Sequence, residues 1–175
     1  MQLLSIIIVG VVLGVASCDI DCFNKETIKC RPDWGKDART SILEYCRTHV
    51  PFVKCIRDSC AKCKVGFLPE AERWWAAIKD ACTDGTALNK NLDSNIDCIT
   101  SATADADCLT DSDQDLKDVP DDQAMCKEFD SLRDCLYQRI ESACSRNVAD
   151  DFLTIYGAMV DYQLKICDEV ILKQK

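Results

Sequence analysis

Histidine is almost absent from this chain: His49 is the only one in 175 residues. A lone imidazole leaves little room for a histidine-based triad, a proton shuttle or a His-ligated metal site. It reads as a structural or exposed residue at a helix boundary. Basic residues are outnumbered, with 21 Lys and Arg against 30 Asp and Glu, a formal charge of −9. A nucleic-acid binder needs clustered cations, so the sequence excludes a nucleic-acid partner. Catalytic motifs are missing as well. There is no Gly-x-Ser-x-Gly, and neither the Cys-Cys-x-x-His-Asp segment nor the Gly-rich calcium loop of a secreted phospholipase A2. Glu70 and Glu72 lie two residues apart, which points them away from each other on a helix. No Asn-x-Ser/Thr acceptor occurs, and no run alternates polar residues with β-formers. The expectation is a non-enzyme with no catalytic residue and no cofactor.

Long apolar runs are also lacking, with one exception. Leu3 to Val15 is apolar apart from Ser5, Gly10 and Gly14, and the small residues Ala16 and Ser17 follow. The run is short of the ~20 residues of a membrane span, and Asp19 and Asp21 follow it where a stop-transfer segment would carry basic residues. Residues 1–17 read as a signal peptide, so the mature chain is secreted and extracellular, with no membrane span. A rival reading takes Val15-Ala16-Ser17-Cys18 as a lipoprotein box, which would leave an odd number of cysteines for pairing.

What the chain has in abundance is cysteine, 14 in all. At this density after export they are expected in disulfides: Cys18, Cys22, Cys30, Cys46, Cys55, Cys60, Cys63, Cys82, Cys98, Cys108, Cys126, Cys135, Cys144 and Cys167. A lone C-x-x-C, Cys60 to Cys63, does not make a zinc site, so no metal is expected there. The spacing repeats. Cys22-x7-Cys30-x15-Cys46-x8-Cys55-x7-Cys63-x18-Cys82 is followed by Cys98-x9-Cys108-x17-Cys126-x8-Cys135-x8-Cys144-x22-Cys167. Matched gaps differ by four residues or fewer. The chain therefore divides into a first six-cysteine helical module, 18–90, and a second, 91–175, joined near Asp84 to Asn95. Cys18 and Cys60 stand outside the pattern; they bridge each other, or one is free. Connectivity stays open, since six cysteines allow 15 pairings.

Periodicity is helical. Leu68, Ala71, Trp75, Ile78 and Cys82 fall on one face, with Pro69 in a first turn and Gly85 as a stop. Phe152, Ile155, Tyr156, Met159, Gln163, Ile166, Cys167 and Val170 trace the matching stripe, with Asn147 as its N-cap. Residues 121–145 form a helix, matched in the first module by Lys36 to Val50 and Pro51 to Val65. Trp74 and Trp75 cannot face the same core; Trp75 lies on the stripe, leaving Trp74 for inter-module packing or an exposed anchor. The expected fold is all-α, a disulfide-stapled helical bundle of two tandem six-cysteine modules.

The whole net charge sits between Asp93 and Asp122, a stretch with ten Asp and one Lys. It reads as an exposed acidic loop, 93–122. Asp111, Asp113 and Asp115 match the first three ligands of an EF-hand loop, but Leu116 stands where that loop needs Gly and Asp122 where it needs Glu. They are weak calcium candidates and nothing more.

Cys126-x8-Cys135-Leu-x7-Cys144, followed by a long amphipathic helix to Cys167, resembles secreted invertebrate cysteine-rich helical proteins, loosely the nematode-type extracellular domain of unknown function. The first module repeats the pattern at Cys46, Cys55, Cys63 and Cys82. The resemblance implies secretion and helices, and no active site. Saposins and insect odorant-binding proteins differ in where their cysteines fall. The leading expectation is binding to an extracellular protein, as a ligand, effector, inhibitor or venom-type component. The alternative is a carrier of a small hydrophobic ligand in a pocket lined by Trp75, Phe152, Tyr156 and Met159.

Overall fold

A computed structural model describes residues 20–30, 41–104, 108 and 121–171, with the backbone alone for 121–125. The described residues form seven α-helices and no strand. The first module contains α1 (Ile20–Thr27) with a 3-10 turn to Cys30, α2 (Ile42–Cys63) and α3 (Leu68–Ala81). Then come α4 (Ala87–Ser94), α5 (Ile96–Ala104), α6 (Asp121–Ala143) and α7 (Arg146–Ile166), which ends in a π-helical turn, Cys167–Ile171.

Local chemistry explains most boundaries. Ser41 caps α2, its hydroxyl accepting from the Glu44 N–H at 3.2 Å. Thr86 caps α4 through the Asn89 N–H at 3.1 Å, and Ser145 caps α7 through the Val148 N–H at 3.4 Å. Ser145, not Asn147, is thus the α7 cap: Ser145 has extended backbone, whereas Asn147 already lies inside the helix. Lys64 closes α2 in the left-handed region, φ 52°, its N–H turned back to the Cys60 and Ala61 carbonyls. Gly85, φ 86°, makes the turn into α4, as expected for a stop after α3.

Pro51 does not divide the first module's long helix; α2 runs through it without a break. The proline removes one backbone donor, yet both sides are held. Cys46 is bridged to Cys82 upstream, Cys55 to Cys30 downstream, and Val53 and Ile56 are buried just beyond. The junction between modules is also helical, since α4 occupies most of 84–95. The acidic segment is not all loop: Asp93 lies in α4, Asp97 in α5, and Asp121 opens α6. Asp111, Asp113 and Asp115 lie outside the described residues, as do residues 1–17 and Cys18.

Six disulfides staple the helices: Cys22–Cys63, Cys30–Cys55 and Cys46–Cys82, then Cys98–Cys144, Cys108–Cys135 and Cys126–Cys167. Numbered within each series, both modules pair first with fifth, second with fourth, and third with sixth. Equivalent cysteines sit on equivalent elements. The first is on α1 or α5, the third and fourth are on α2 or α6, and the fifth is the last residue of α2 or the first after α6. The sixth follows α3 or α7. The fold is an all-α, disulfide-stapled bundle of two tandem six-cysteine modules. None of the six bridges crosses between them.

The modules instead share one core. α3 lies between α2 and α7, and α7 between α3 and α6. A single buried cluster runs from Phe23, Val53 and Ile78 in the first module to Ile140, Val148 and Ile155 in the second. Small domains bury a smaller share of their surface than large ones, and the two modules bury theirs together.

Candidate functional site

The junction between the modules is the most densely aromatic part of the described molecule. Phe67, fully buried just before α3, meets Phe23 of α1 edge-on at 4.9 Å between ring centroids. It also meets Tyr162 of α7 at 5.9 Å. Tyr162 lies tilted on Trp74 of α3 at 5.3 Å, and Trp74 meets Phe52 of α2 edge-on at 6.1 Å. Five rings from four places in the chain thus form one continuous layer, each contact worth about 0.5–1.5 kcal/mol beyond its area.

Trp74 is the buried tryptophan, 4% exposed, and Trp75 is only half-buried under the Arg57 guanidinium at 5.7 Å. The expected stripe was placed one residue off. α3 buries Phe67, Ala71, Trp74, Ile78 and Ala81, a valid helical register that shares Ala71 and Ile78 with the expected one. Trp74 has the inter-module role, packing on Tyr162 of the second module.

Cys60 sits in this layer. It is a free thiol with no solvent exposure. Of the two alternatives open for Cys60, a bridge to Cys18 or a free thiol, the structure shows the free thiol, and Cys18 lies outside the described residues. Its position on α2 turns it into the inter-module core, toward Tyr162, while the six paired cysteines of its module satisfy one another. Burial pushes the thiol up to about 12, with a hydrogen bond from Tyr162 opposing the shift. Burial also raises the Tyr162 phenol, and the neighbouring thiol adds to that rise. Such a thiol is inert as a nucleophile while the core is closed.

The four residues expected to line a pocket all lie at the edge of the shared core. Trp75, Phe152, Tyr156 and Met159 are partly buried side chains packed against the core cluster. Phe152 and Tyr156 stack on each other at 5.2 Å, one turn apart on α7, and burial raises the Tyr156 phenol.

His49 lies on the half-buried side of α2. Its ring stacks on Tyr45 at 3.8 Å, and its Nδ1 approaches the Tyr45 carbonyl at 2.9 Å. Burial pushes the Tyr45 phenol well above its ordinary value.

Polar contacts also join the modules. Arg73 of α3 lies 3.7 Å from Asp161 of α7, and within the second module Asn91 of α4 donates to Asp151 of α7 at 2.5 Å. The Glu169 carboxylate occupies the space that a Cβ on Gly66 would fill, and Lys165 holds it at 3.2 Å. Elsewhere, Glu26, Pro51, Lys54, Cys55, Asp58, Ser59 and Lys62 line a shallow open hollow of about 330 Å³. Its cations are paired: Lys62 with Glu26 at 2.9 Å and Lys54 with Asp58 at 2.8 Å. Among the described residues, no group of three or more His, Cys, Asp or Glu is arranged to hold a metal, and no helix is long and apolar enough to cross a membrane.

Sequence reasoning missed Phe67, Tyr162, Gly66 and Glu169. The alternative register on α3 was a usable signal for Phe67 and Trp74. Nothing local marks Tyr162, Gly66 or Glu169, because their meaning lies in contacts between modules. Comparison of the chain with protein-family models, with curated proteins and with solved structures finds no match in any of the three.

Proposed function

We propose that the protein is secreted and acts by its outer surface, binding another extracellular protein as a ligand, effector, inhibitor or venom-type component. The observation that carries this reading is the use of its aromatic side chains. Phe23, Phe52, Phe67, Trp74 and Tyr162 pack on one another, and Phe152 stacks on Tyr156, so these side chains serve the scaffold. What such a scaffold presents outward is rigid, with three bridges per module fixing the helices. Six disulfides and the absence of a membrane-length helix among the described residues support an extracellular setting. The resemblance to secreted invertebrate cysteine-rich helical proteins points the same way.

Native mass spectrometry of protein taken from its own secretion, with and without thiol alkylation, tests the proposal. The expected species starts after the signal segment, carries no lipid on Cys18 and retains no small molecule. An apolar molecule that stays bound in stoichiometric amount would overturn it in favour of a carrier.

A further inference from the structure

The two modules are joined by packing and by polar contacts, while all six bridges stay within a module. Opening the junction therefore breaks no described disulfide. One contact at its rim has the form of a fastening. The turn between α2 and α3 carries Gly66, and the missing Cβ leaves a seat that the Glu169 carboxylate fills. Glu169 belongs to the π-helical turn after α7, whose base is tied to α6 through Cys126–Cys167.

The charges around the seat balance narrowly. Lys165 pairs with Glu169 at 3.2 Å, and the carboxylate raises the lysine above its ordinary value. Glu70, at the start of α3, acts on the same lysine, as does Asp168. One Glu70 oxygen is buried with no hydrogen-bond partner; the other lies 3.4 Å from Arg73, which also faces Asp161. One ammonium thus serves several carboxylates, so the contact is held and opposed at the same place. Val170, the next residue, packs against the shared core beneath.

We propose that the Cys167–Ile171 turn is a latch: Glu169, seated on Gly66, closes the end of α7 over the first module, and its release uncovers the aromatic layer and the Cys60 thiol. Cys60 is the reporter, because it is fully buried on α2 beside Tyr162 of α7.

The test is the rate at which N-ethylmaleimide labels Cys60 in the full oxidised chain under native conditions, resolved by peptide mass spectrometry. Gly66→Ala fills the seat and displaces only the flexible end of Glu169; Glu169→Ala removes the occupant. Each is expected to speed labelling by roughly tenfold or more, an opening made easier by an amount typical of local contacts. The double variant is expected to be no faster than the quicker single one, because both remove one contact. Ile155→Val, inside the second module's core, serves as a reference of lowered global stability measured in denaturant. Labelling in Glu169→Ala as slow as in the parent overturns the latch. So does acceleration in both latch variants that follows the loss of global stability along the line set by Ile155→Val.

Discussion

At the scale of single residues, the two adjacent tryptophans show how little separates a core anchor from a surface group. Trp74 fills the junction between Tyr162 and Phe52, whereas Trp75 lies half outside under Arg57. Trp74→Ala is expected to cost about 3–5 kcal/mol, the range for losing a buried large aromatic, and Trp75→Ala less than half of that. Equilibrium unfolding in denaturant checks the ranking; equal losses would contradict the assignment. Lys64 offers a test of opposite sign. It holds a left-handed conformation that a side chain disfavours by about 1–2 kcal/mol, offset in part when glycine adds entropy to the unfolded chain. Lys64→Gly is therefore expected to leave stability unchanged or to raise it by up to about 1 kcal/mol, read as a shift of the denaturant midpoint. The placement of Trp74 was within reach of the sequence, since a shift of one residue in helical register moves it inward. The burial of Cys60 was not, because spacing reports that a cysteine is unmatched and cannot say what covers it.

At the scale of helices, capping chemistry and long-range bridges decide matters that periodicity leaves open. The existence of α2, α3, α6 and α7 was legible, because each carries an apolar stripe at helical spacing, with cysteines inside α2 and α6 and directly after α3 and α7. Two details were not. Pro51 suggests a boundary, but bridges on either side carry the helix across it. Asn147 suggests a cap, but Ser145 two residues earlier supplies the hydroxyl. Ser145→Ala is expected to lower stability by about 1 kcal/mol, and Asn147→Ala, at an exposed helical position, by less than about 0.5 kcal/mol. Comparison of their thermal midpoints checks this. Charge adds to the disulfides that attach α1 and its 3-10 turn to α2. Glu26 accepts from Lys29 at 2.7 Å and lies 2.9 Å from Lys62 of α2. These two ammonium groups hold its carboxyl below the ordinary value of 4.5. A carboxylate lowered on folding contributes stability that is present above its unfolded value and disappears as pH falls through its folded one. Glu26→Gln is accordingly expected to melt below the parent at neutral pH and together with it once acid has protonated Glu26. A gap that persists unchanged in acid would show that the side chain acts by shape and not by charge.

At the scale of the whole molecule, two copies of one covalent pattern are fused by a core that belongs to both. The duplication was legible because cysteine spacing survives in the chain as a count of residues. The sharing of the core was not, because it depends on Phe67 meeting Tyr162, two residues that no local pattern links. This architecture makes a specific thermodynamic demand. Bridges of one module close loops of 25 to 41 residues and those of the other 27 to 46, and each is worth about 3–4 kcal/mol by the entropy it removes from the unfolded chain. If the modules melted independently, deleting a bridge in one would leave the other's transition in place. Because α3 and α7 bury a common layer, loss of one module exposes Trp74 or Tyr162 of the other, and the two must fall together. The parent is expected to show one calorimetric transition whose enthalpy matches its sharpness. The Cys46→Ala, Cys82→Ala double variant is expected to show a single transition as well, moved down by several degrees. Two separate transitions, one of them unmoved, would mean that the interface is a contact between independent units and not a core.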